Sequence, residues 1–254
     1  MHIFKALIIA FSIYSRIPMP QFQWKDEDMR YMLCFFPWVG AVIGGVLYGW
    51  LRFCGAYQVG EVGRATTSVA IPLLITGGFH VDGFMDTMDA FHSYQPREKK
   101  LAILKDSHIG AFSVIMLLLY GLIFLGACSE LKEQVLINIV CAGFCLSRCL
   151  SGISVVSFPT AKKDGMLFEF ASSAQKRVVK GVHCLEALGC MGFMVAQSLV
   201  FGGVILFAAL LSFGYYFYRC KKELGGITGD TAGYFILLCE GSMVVVAALM
   251  DVVM

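Results

Sequence analysis

The chain has 254 residues, of which 58% are hydrophobic and 15% charged, and its mean hydropathy is +0.74. Soluble domains carry about 25% charged residues, so this composition predicts a polytopic membrane protein with no room for a separate soluble domain. The formal net charge of +2 is too small to indicate nucleic acid binding. We therefore expect one all-α integral-membrane domain over residues 1–254.

The first segment of the chain is apolar but short. Lys5 precedes the apolar stretch Ala6–Ile13, and Arg16, Pro18 and Pro20 follow it at once. A clear small-residue cleavage site is missing, so the pattern favours a short interfacial or re-entrant segment over a signal peptide that is removed.

Seven apolar runs are long enough to cross a bilayer. A single helix over 183–218 would be about 54 Å long, against a hydrocarbon core of about 30 Å. We therefore divide that run at Gly202 and Gly203 into a hairpin. The predicted spans are 33–51, 65–81, 109–128, 135–158, 183–199, 203–218 and 232–250.

The basic residues predict the orientation of these spans. With a cytoplasmic N-terminus, the inner loops hold 16 of the 20 Lys and Arg residues and the outer loops hold 3. This distribution follows the positive-inside rule. It places four polar segments on the cytoplasmic face: 82–93, 105–110, 159–182 and 225–230.

The ten cysteines are scattered, mostly within apolar runs. Cys141, Cys145 and Cys149 recur every four residues on one predicted helix. We interpret them as small packing residues, because no C-x-x-C motif or Cys/His cluster in the sequence indicates zinc.

The most informative cluster is acidic. The segment GGFHVDGFMDTMDAFHS contains Asp82, Asp86 and Asp89 at spacing i, i+4, i+7, which on a helix places them within an arc of about 60°. Like charges on one face repel one another unless a cation neutralises them, and Mg²⁺ prefers oxygen ligands. We expect these three residues, with Asp106 opposite, to bind Mg²⁺. The alternative is a solvated helix face.

Histidines and glycines accompany the aspartates. His80 and His108 are candidates for a general base or a phosphate ligand, or are plain interfacial residues. Gly77 and Gly78 precede the cluster, and GGITGD at 225–230 precedes the last span. Such turns let backbone N–H groups approach a phosphate. An equally good explanation is that these glycines only form the turns of ordinary loops. Within the second turn, Asp230 is either a ligand or the N-cap of the last span.

Basic residues complete the pattern. Arg97 and Lys105 share a loop with the aspartates and are candidates to neutralise a polyphosphate. For the basic loop 159–182 we favour contact with lipid headgroups. Arg148 falls within a span, where a charge costs about 2.5–3.5 kcal/mol. It should face the bundle interior, and Glu240 is its candidate partner. Metal ligands and cations on one face indicate phosphoryl transfer.

Five elements of the chain, in order and at matching spacings, resemble the cobalamin synthase (adenosylcobinamide-GDP ribazoletransferase) family. The resemblance extends over nearly the whole length. The elements are SRIPMP at 15–20, FFPWVGAVIGG at 35–45, GGFHVDGFMDTMDAFHS at 77–93, REKKLAILKDSHIGAF at 97–112 and GGITGD at 225–230.

The resemblance implies a multi-pass enzyme of the bacterial inner membrane that requires Mg²⁺, with its active site on the cytoplasmic face. It would join adenosylcobinamide-GDP to α-ribazole or its 5′-phosphate and release GMP. Asp82, Asp86, Asp89, Asp106 and Asp230 match the acidic positions of the family. We infer the role of each one from its chemistry. The site residues are, as catalytic groups, Asp82, Asp86, His80 and His108; as metal ligands, Asp82, Asp86, Asp89 and Asp106; and for substrate, Gly77, Gly78, Arg97, Lys105, Ser107, Thr228, Asp230 and Arg148. The chain is a possible homo-oligomer.

Two other functions remain as alternatives. The D-G-x-x-D-x-x-D pattern also resembles CDP-alcohol phosphotransferases, but the Ala-Arg of their motif is missing here. A transporter would suit the intramembrane charges of Arg148 and Glu240. However, the acidic residues cluster at one face rather than at the midplane, and no inverted repeat is visible.

Overall fold

A computed structural model describes residues 2–253, and these are organised as helices joined by short loops. Between the second and third helices, Met32–Phe35 forms a 3₁₀ turn. Among the described residues, the β structure is a single isolated bridge. The helices are α1 His2–Tyr14, α2 Asp26–Met29, α3 Phe36–Tyr57, α4 Glu61–Thr76, α5 Phe79–His92, α6 Arg97–Ile103, α7 Ala111–Glu130, α8 Gln134–Ser157, α9 Met166–Ser173, α10 Lys176–Gln197, α11 Leu199–Leu224 and α12 Gly229–Val253.

The predicted polytopic all-α bundle is confirmed. Within residues 2–253, six segments are long and apolar enough to cross a membrane, and a seventh is added if the bent pair α4 and α5 counts as one span. Helix α8 is central, packed against α3, α10 and α12. Helices α7, α10 and α11 are peripheral and expose large apolar side chains such as Leu118, Leu185 and Phe207. Exposed apolar surface of this extent fits contact with lipid.

The run 183–218 is a helical hairpin as predicted, but the predicted break at Gly202 and Gly203 is wrong. Helix α10 ends at Gln197, and Ser198 caps α11 by accepting a hydrogen bond from the Phe201 N–H at 3.3 Å. Gly202 instead lets the two arms approach, because a Cβ there would lie 2.6 Å from the Met194 carbonyl carbon. The absence of a side chain at Gly202 therefore allows the two helices to pack closely, and the chain reverses at Ser198, whose hydroxyl caps α11.

The apolar N-terminal segment forms α1, which has 13 residues and is too short to span about 30 Å. Ala6, Ile9 and Ala10 are fully buried, and α1 packs against α2, the 3₁₀ turn and α3. The segment is thus part of the helical core, and its interfacial position stays a prediction.

The predicted span 65–81 ends early. Helix α4 stops at Thr76, and α5 leaves at 97° to it. The break consists of Gly77 and Gly78, both in the left-handed region with φ of +65° and +82°, where residues with a Cβ are strained. The bend turns the acidic segment into a separate helix that lies at one end of the bundle.

Polar segments collect at that same end. Helices α7, α10 and α12 begin there, and α8 and α11 end there. The opposite end is closed differently: the Asp251 carboxylate accepts hydrogen bonds from the N–H groups of Lys132 and Glu133 at 2.6 and 2.8 Å. The fold therefore brings the loops 93–110, 158–175 and 225–230 together around α5.

Candidate active site

Helix α5 presents the three aspartates on one face, as the i, i+4, i+7 spacing predicts. Asp82 is exposed, and Asp86 and Asp89 are half-buried. On the other side, Phe84 and Phe91 are buried in the core. The helix is therefore fixed by its apolar side, and the carboxylates point away from that side.

Gly83 lets α12 approach this acidic face. A Cβ at Gly83 would lie 2.7 Å from the carbonyl oxygen of Asp230 and 2.9 Å from its Cα. A second glycine on α12, Gly233, lies similarly close to the backbone of His80, where a Cβ would be 3.0 Å from the carbonyl oxygen. The two helices thus cross in backbone contact, and the crossing places Asp230 beside the first turns of α5.

The N-cap of α12 is Thr228. Its Oγ1 accepts a hydrogen bond from the Thr231 N–H at 3.2 Å, and the Thr228 N–H donates to Thr231 Oγ1 at 2.8 Å. This reciprocal pair satisfies the end of the helix. Asp230 is not needed as a cap, and its carboxylate accepts a hydrogen bond from the Thr228 hydroxyl at 3.3 Å. Its carboxylate remains available to the acidic cluster.

The charges that act on Asp86 show how the cluster is composed. Partial burial raises the pKa of Asp86 to about 6, with further contributions from the negative charges of Asp82, Asp230 and Asp89, and the positive charge of Lys162 opposes the shift. Asp86 is therefore central among four carboxylates drawn from α5 and α12. The helical spacing accounts for three of them, and the crossing at Gly83 adds the fourth.

Asp89 is held by the loop that follows α6. Its carboxylate occupies the place that a side chain at Gly110 would take, since a Cβ there would overlap both carboxylate oxygens. The glycine that ends KDSHIG is thus needed for the contact between this loop and α5. The predicted convergence of these two elements is visible in this contact.

Lys162 lies beside Asp230 in the structure, whereas the sequence favoured lipid headgroup contact for its loop. The segment around it pairs with the GGITGD turn: the Ala161 N–H donates to the Ile227 carbonyl at 2.8 Å, and the Ile227 N–H donates to the Pro159 carbonyl at 2.9 Å. Partial burial, aided by the charge of Lys105, lowers the pKa of Lys162, against the opposing charge of Asp230. No sequence motif predicts this backbone pairing between residues 159–161 and Ile227.

A cavity of about 240 Å³ lies beside Asp230, between α9, the start of α12 and the loops before them. Lys105 and Lys162 both line it, together with Asp164 and Thr228. The Lys105 ammonium donates to Asp164 at 2.6 Å, and this hydrogen bond lowers the pKa of the Asp164 carboxyl. Two lysines at a helix N-terminus, next to carboxylates, suit a phosphate that also binds a metal.

Asp106 and His108 form a pair of their own. Asp106 Oδ1 accepts a hydrogen bond from the His108 N–H at 3.0 Å and lies 2.6 Å from Nδ1 of the same residue. These bonds hold the pKa of Asp106 below its usual range. Both side chains are exposed. A carboxylate that orients an imidazole through Nδ1 leaves Nε2 free to take a proton.

Two predicted site residues lie inside the bundle. His80 is 3% exposed and packs against the rings of Tyr14 and Phe36, and its Nε2 has no hydrogen-bond partner among the described residues. Arg148 is 1% exposed and is ion-paired with Glu240, its predicted partner. The structure does not bring either of them to the carboxylate face of α5.

The other predicted substrate residues border the site. The Arg97 guanidinium packs on Gly225, where a Cβ would overlap it, so α6 is tied to the GGITGD turn. The Arg16 side chain covers Gly77 in the same way. Ser107 is exposed between Asp106 and His108. Arg16 belongs to the SRIPMP element at 15–20, and the sequence predicts no site role for it.

The donor set fits a hard cation. Carboxylate oxygens from two helices, with no sulfur or nitrogen among them, are the ligands that Mg²⁺ takes. The spacing is loose: among residues 2–253, the groups whose three ligand atoms all lie within 4.8 Å of one another are centred on cysteine, not on these aspartates. Mg²⁺ commonly keeps waters and takes substrate phosphate oxygens, which would complete a shell that the protein only begins.

Comparison with known families identifies the family of this chain. Residues 6–248 match the family described as cobalamin-5-phosphate synthase. The chain belongs to this family. The match spans α1 to α12, so the acidic face, the GGITGD turn and the lysine-lined cavity all lie within cobalamin-5-phosphate synthase sequence.

Individual relatives agree with the family match. A protein named adenosylcobinamide-GDP ribazoletransferase from Lachnoclostridium phytofermentans is 42% identical over 247 residues, covering 95% of this chain and 94% of its own length. Proteins of the same name from Clostridium perfringens and Brevibacillus brevis are each 32% identical, covering 93% and 95% of this chain and 94% and 96% of their own lengths. No solved structure matches this chain.

Proposed function

We propose that this member of the cobalamin-5-phosphate synthase family transfers the adenosylcobinamide phosphate moiety from adenosylcobinamide-GDP to α-ribazole or its 5′-phosphate, releasing GMP. A ribose hydroxyl of the acceptor forms the new P–O bond, the bond from that phosphorus to the GMP oxygen breaks, and the hydroxyl proton passes to a base. The observation that carries the proposal is the joining of Asp82, Asp86, Asp89 and Asp230 at the α5–α12 crossing.

In this proposal the carboxylates of Asp82, Asp86, Asp89 and Asp230 would hold Mg²⁺ at the site where the diphosphate of the substrate binds. Bound Mg²⁺ would polarise the phosphoryl oxygens and stabilise the leaving phosphate. The protein positions the ligands: Gly83 sets the separation of Asp82 and Asp86 from Asp230, and Gly110 sets the position of Asp89. Asp106 stays a predicted ligand with one oxygen engaged by His108.

Lys105 and Lys162 would neutralise the GDP phosphates from the neighbouring cavity. The partial burial of Lys162 and its interaction with Asp230 place a cation beside the proposed metal ligands, where leaving-group charge develops. Lys105 is held towards the cavity by Asp164. GMP would therefore leave from the α9–α12 side.

His108 is the proposed proton acceptor. Its ring is oriented by Asp106 and is 91% exposed, so an acceptor ribose can reach it. His80 lacks such access. The predicted catalytic role of His80 would therefore need a different position of α5, and we assign the base to His108.

The fold supports a multi-pass membrane enzyme. We propose that the membrane is the bacterial inner membrane and that the site end of the bundle faces the cytoplasm. Of the 20 Lys and Arg residues, 16 lie at this end, in its loops and in the helix turns next to them, and such residues are retained on the cytoplasmic side. The proposed donor, adenosylcobinamide-GDP, joins a water-soluble nucleotide to a bulky corrinoid. A site at the membrane surface suits such a molecule.

The test is GMP release by purified protein in detergent, with Mg²⁺ and adenosylcobinamide-GDP, on addition of α-ribazole. Asp82→Asn and Asp86→Asn should each abolish release while the protein still elutes as a folded species. Glu130→Gln is the matched control, because Glu130 is exposed at the opposite end of the bundle. GMP release that survives both aspartate changes would overturn the metal assignment.

A further inference from the structure

A second polar cluster lies between α8 and α10, away from the aspartates. Cys145 and Cys149 are one turn apart on α8, and Cys190 faces them from α10. The three sulfur atoms all lie within 4.8 Å of one another. The sequence spacing places only the first two together. The packing of the two helices supplies the third.

Cys149 belongs to a second group as well. Its sulfur, a ring nitrogen of His183 and a carboxylate oxygen of Glu186 also lie within 4.8 Å of one another. Cys149 therefore belongs both to the group of three thiols and to the group that contains the His183 imidazole and the Glu186 carboxylate. A Cys/His cluster exists in the structure although no motif of that kind exists in the sequence.

His183 lacks the partners that a buried imidazole needs. It is 0% exposed, and neither ring nitrogen has a hydrogen-bond partner among the described residues. The nearest acid, Glu186, places Oε2 3.5 Å from Nδ1, and that oxygen is likewise without a hydrogen bond. Leaving a fully buried imidazole without a hydrogen bond is costly, and the partly exposed Glu186 carboxylate lies only within ion-pairing distance of it. A cation at this position would satisfy both.

The helices are shaped around this imidazole. A Cβ at Gly152 would overlap the His183 ring, so α8 carries its glycine where α10 inserts the histidine. Trp38 of α3 orients the carboxylate by donating its indole N–H to Glu186 Oε1 at 3.0 Å. Neighbouring residues that fix a ligand's direction are typical of metal sites.

The thiols are also reachable. A cleft of about 600 Å³ between α3, α8 and α10 is lined by Cys145 and Cys190. Small residues such as Gly44 and Gly189 widen it, and Asn138 and Gln197, joined by a 2.8 Å hydrogen bond, stand at the far end from His183. Two of the three thiols therefore line a cleft at the surface of the bundle, and this cleft shares no lining residue with the cavity beside Asp230.

We propose that α8 and α10 bind a thiophilic d¹⁰ cation, with Zn²⁺ as the representative, through Cys145, Cys149 and Cys190, and that His183 and Glu186 complete the site beside Cys149. Sulfur and imidazole donors select such ions over Mg²⁺. Each thiol that forms a metal–sulfur bond releases its proton to solvent. The ion joins two helices, so its role is to fix their packing.

The test uses the full chain, purified in detergent under a phosphine reductant and freed of metal by a chelator. Titration with Co²⁺, followed by sulfur-to-cobalt charge-transfer absorption, should saturate near about one ion per chain, and Zn²⁺ should displace the signal. Cys149→Ser removes the shared ligand and should abolish the band. Cys184→Ser, at an exposed cysteine on α10, the helix that carries Cys190, should leave the band unchanged. Cys141→Ser, one turn before Cys145 on α8, should also leave it unchanged.

Stability gives a second readout, and its wild-type measurement does not depend on any variant folding. Zn²⁺ should raise the thermal unfolding midpoint of the wild-type chain and leave that of Cys149→Ser unmoved. A wild-type chain whose cobalt spectrum lacks charge-transfer bands would overturn the proposal. So would intact-mass and peptide analysis showing a disulfide among these three cysteines in the reductant-treated protein. GMP release is not measured, so the outcome is independent of the proposed function.

Discussion

The crossing of α5 and α12 at Gly83 can be tested by adding one methyl group. In Gly83→Ala the new Cβ would lie 2.7 Å from the Asp230 carbonyl oxygen and 2.9 Å from its Cα. A relaxed C···O contact is about 3.3 Å or more, so the helices must separate by about 0.6 Å. The obstructing atoms are backbone and cannot rotate away. The change therefore moves Asp230 relative to Asp82 and Asp86.

The expected size follows from two effects. Misplacing reacting groups by about 1 Å costs on the order of 10²-fold in rate, so we expect a loss of about tenfold or more in kcat for GMP release. Overpacking costs about 1–3 kcal/mol, which exceeds the roughly 0.5–1 kcal/mol that alanine gains over glycine within a helix. The free energy of unfolding should therefore fall.

Two further glycines calibrate the result. Gly233→Ala, with its Cβ 3.0 Å from the His80 carbonyl oxygen, should have a smaller effect of the same sign. Gly126→Ala meets nothing within 4 Å and should leave both rate and stability at or above wild type. GMP release and thermal unfolding in detergent would be measured for all three. A Gly83→Ala protein that is folded and turns over at the wild-type rate would refute the role of this crossing.

Three other changes test the surrounding contacts. Gly110→Ala should displace the Asp89 carboxylate and weaken the Mg²⁺ dependence of GMP release, seen as a higher Mg²⁺ concentration at half-maximal rate; an unchanged value would contradict the contact. Lys162→Gln should lower kcat without unfolding the protein, because a cation beside the proposed metal site is lost. A wild-type kcat would instead favour the interpretation that Lys162 contacts lipid headgroups. Arg148→Met should lower stability by about 3–5 kcal/mol by leaving Glu240 unpaired, and adding Glu240→Met should restore much of it; equal loss in both proteins would show that the charge pair is not the cause.

The sequence predicted those parts of the molecule that depend on local spacing. The helical period places Asp82, Asp86 and Asp89 on one face, the apolar runs mark the spans, and the charge of Arg148 indicates its partner Glu240. The cobalamin synthase assignment from five ordered motifs is confirmed by the family match. Each of these signals is carried by residues close in sequence, or by a charge that must be paired wherever it is buried.

Features that depend on tertiary contacts were not predictable in the same way. The role of Lys162 comes from the pairing of its loop with Ile227, and the cysteine trio comes from the packing of α8 on α10. The turn of the hairpin was predicted at the wrong residue because a glycine such as Gly202 can indicate either a turn or a close contact between helices. Only the structure, with Met194 against Gly202, distinguishes them.

Mn²⁺ binding measured by electron paramagnetic resonance tests the central claim most directly, since Mn²⁺ takes the oxygen ligands of Mg²⁺. The account predicts saturable binding to the wild-type chain, competition by Mg²⁺, and loss of both in the Asp82→Asn, Asp86→Asn double variant, with Glu130→Gln unchanged. A double variant that binds Mn²⁺ as tightly as the wild type would contradict it.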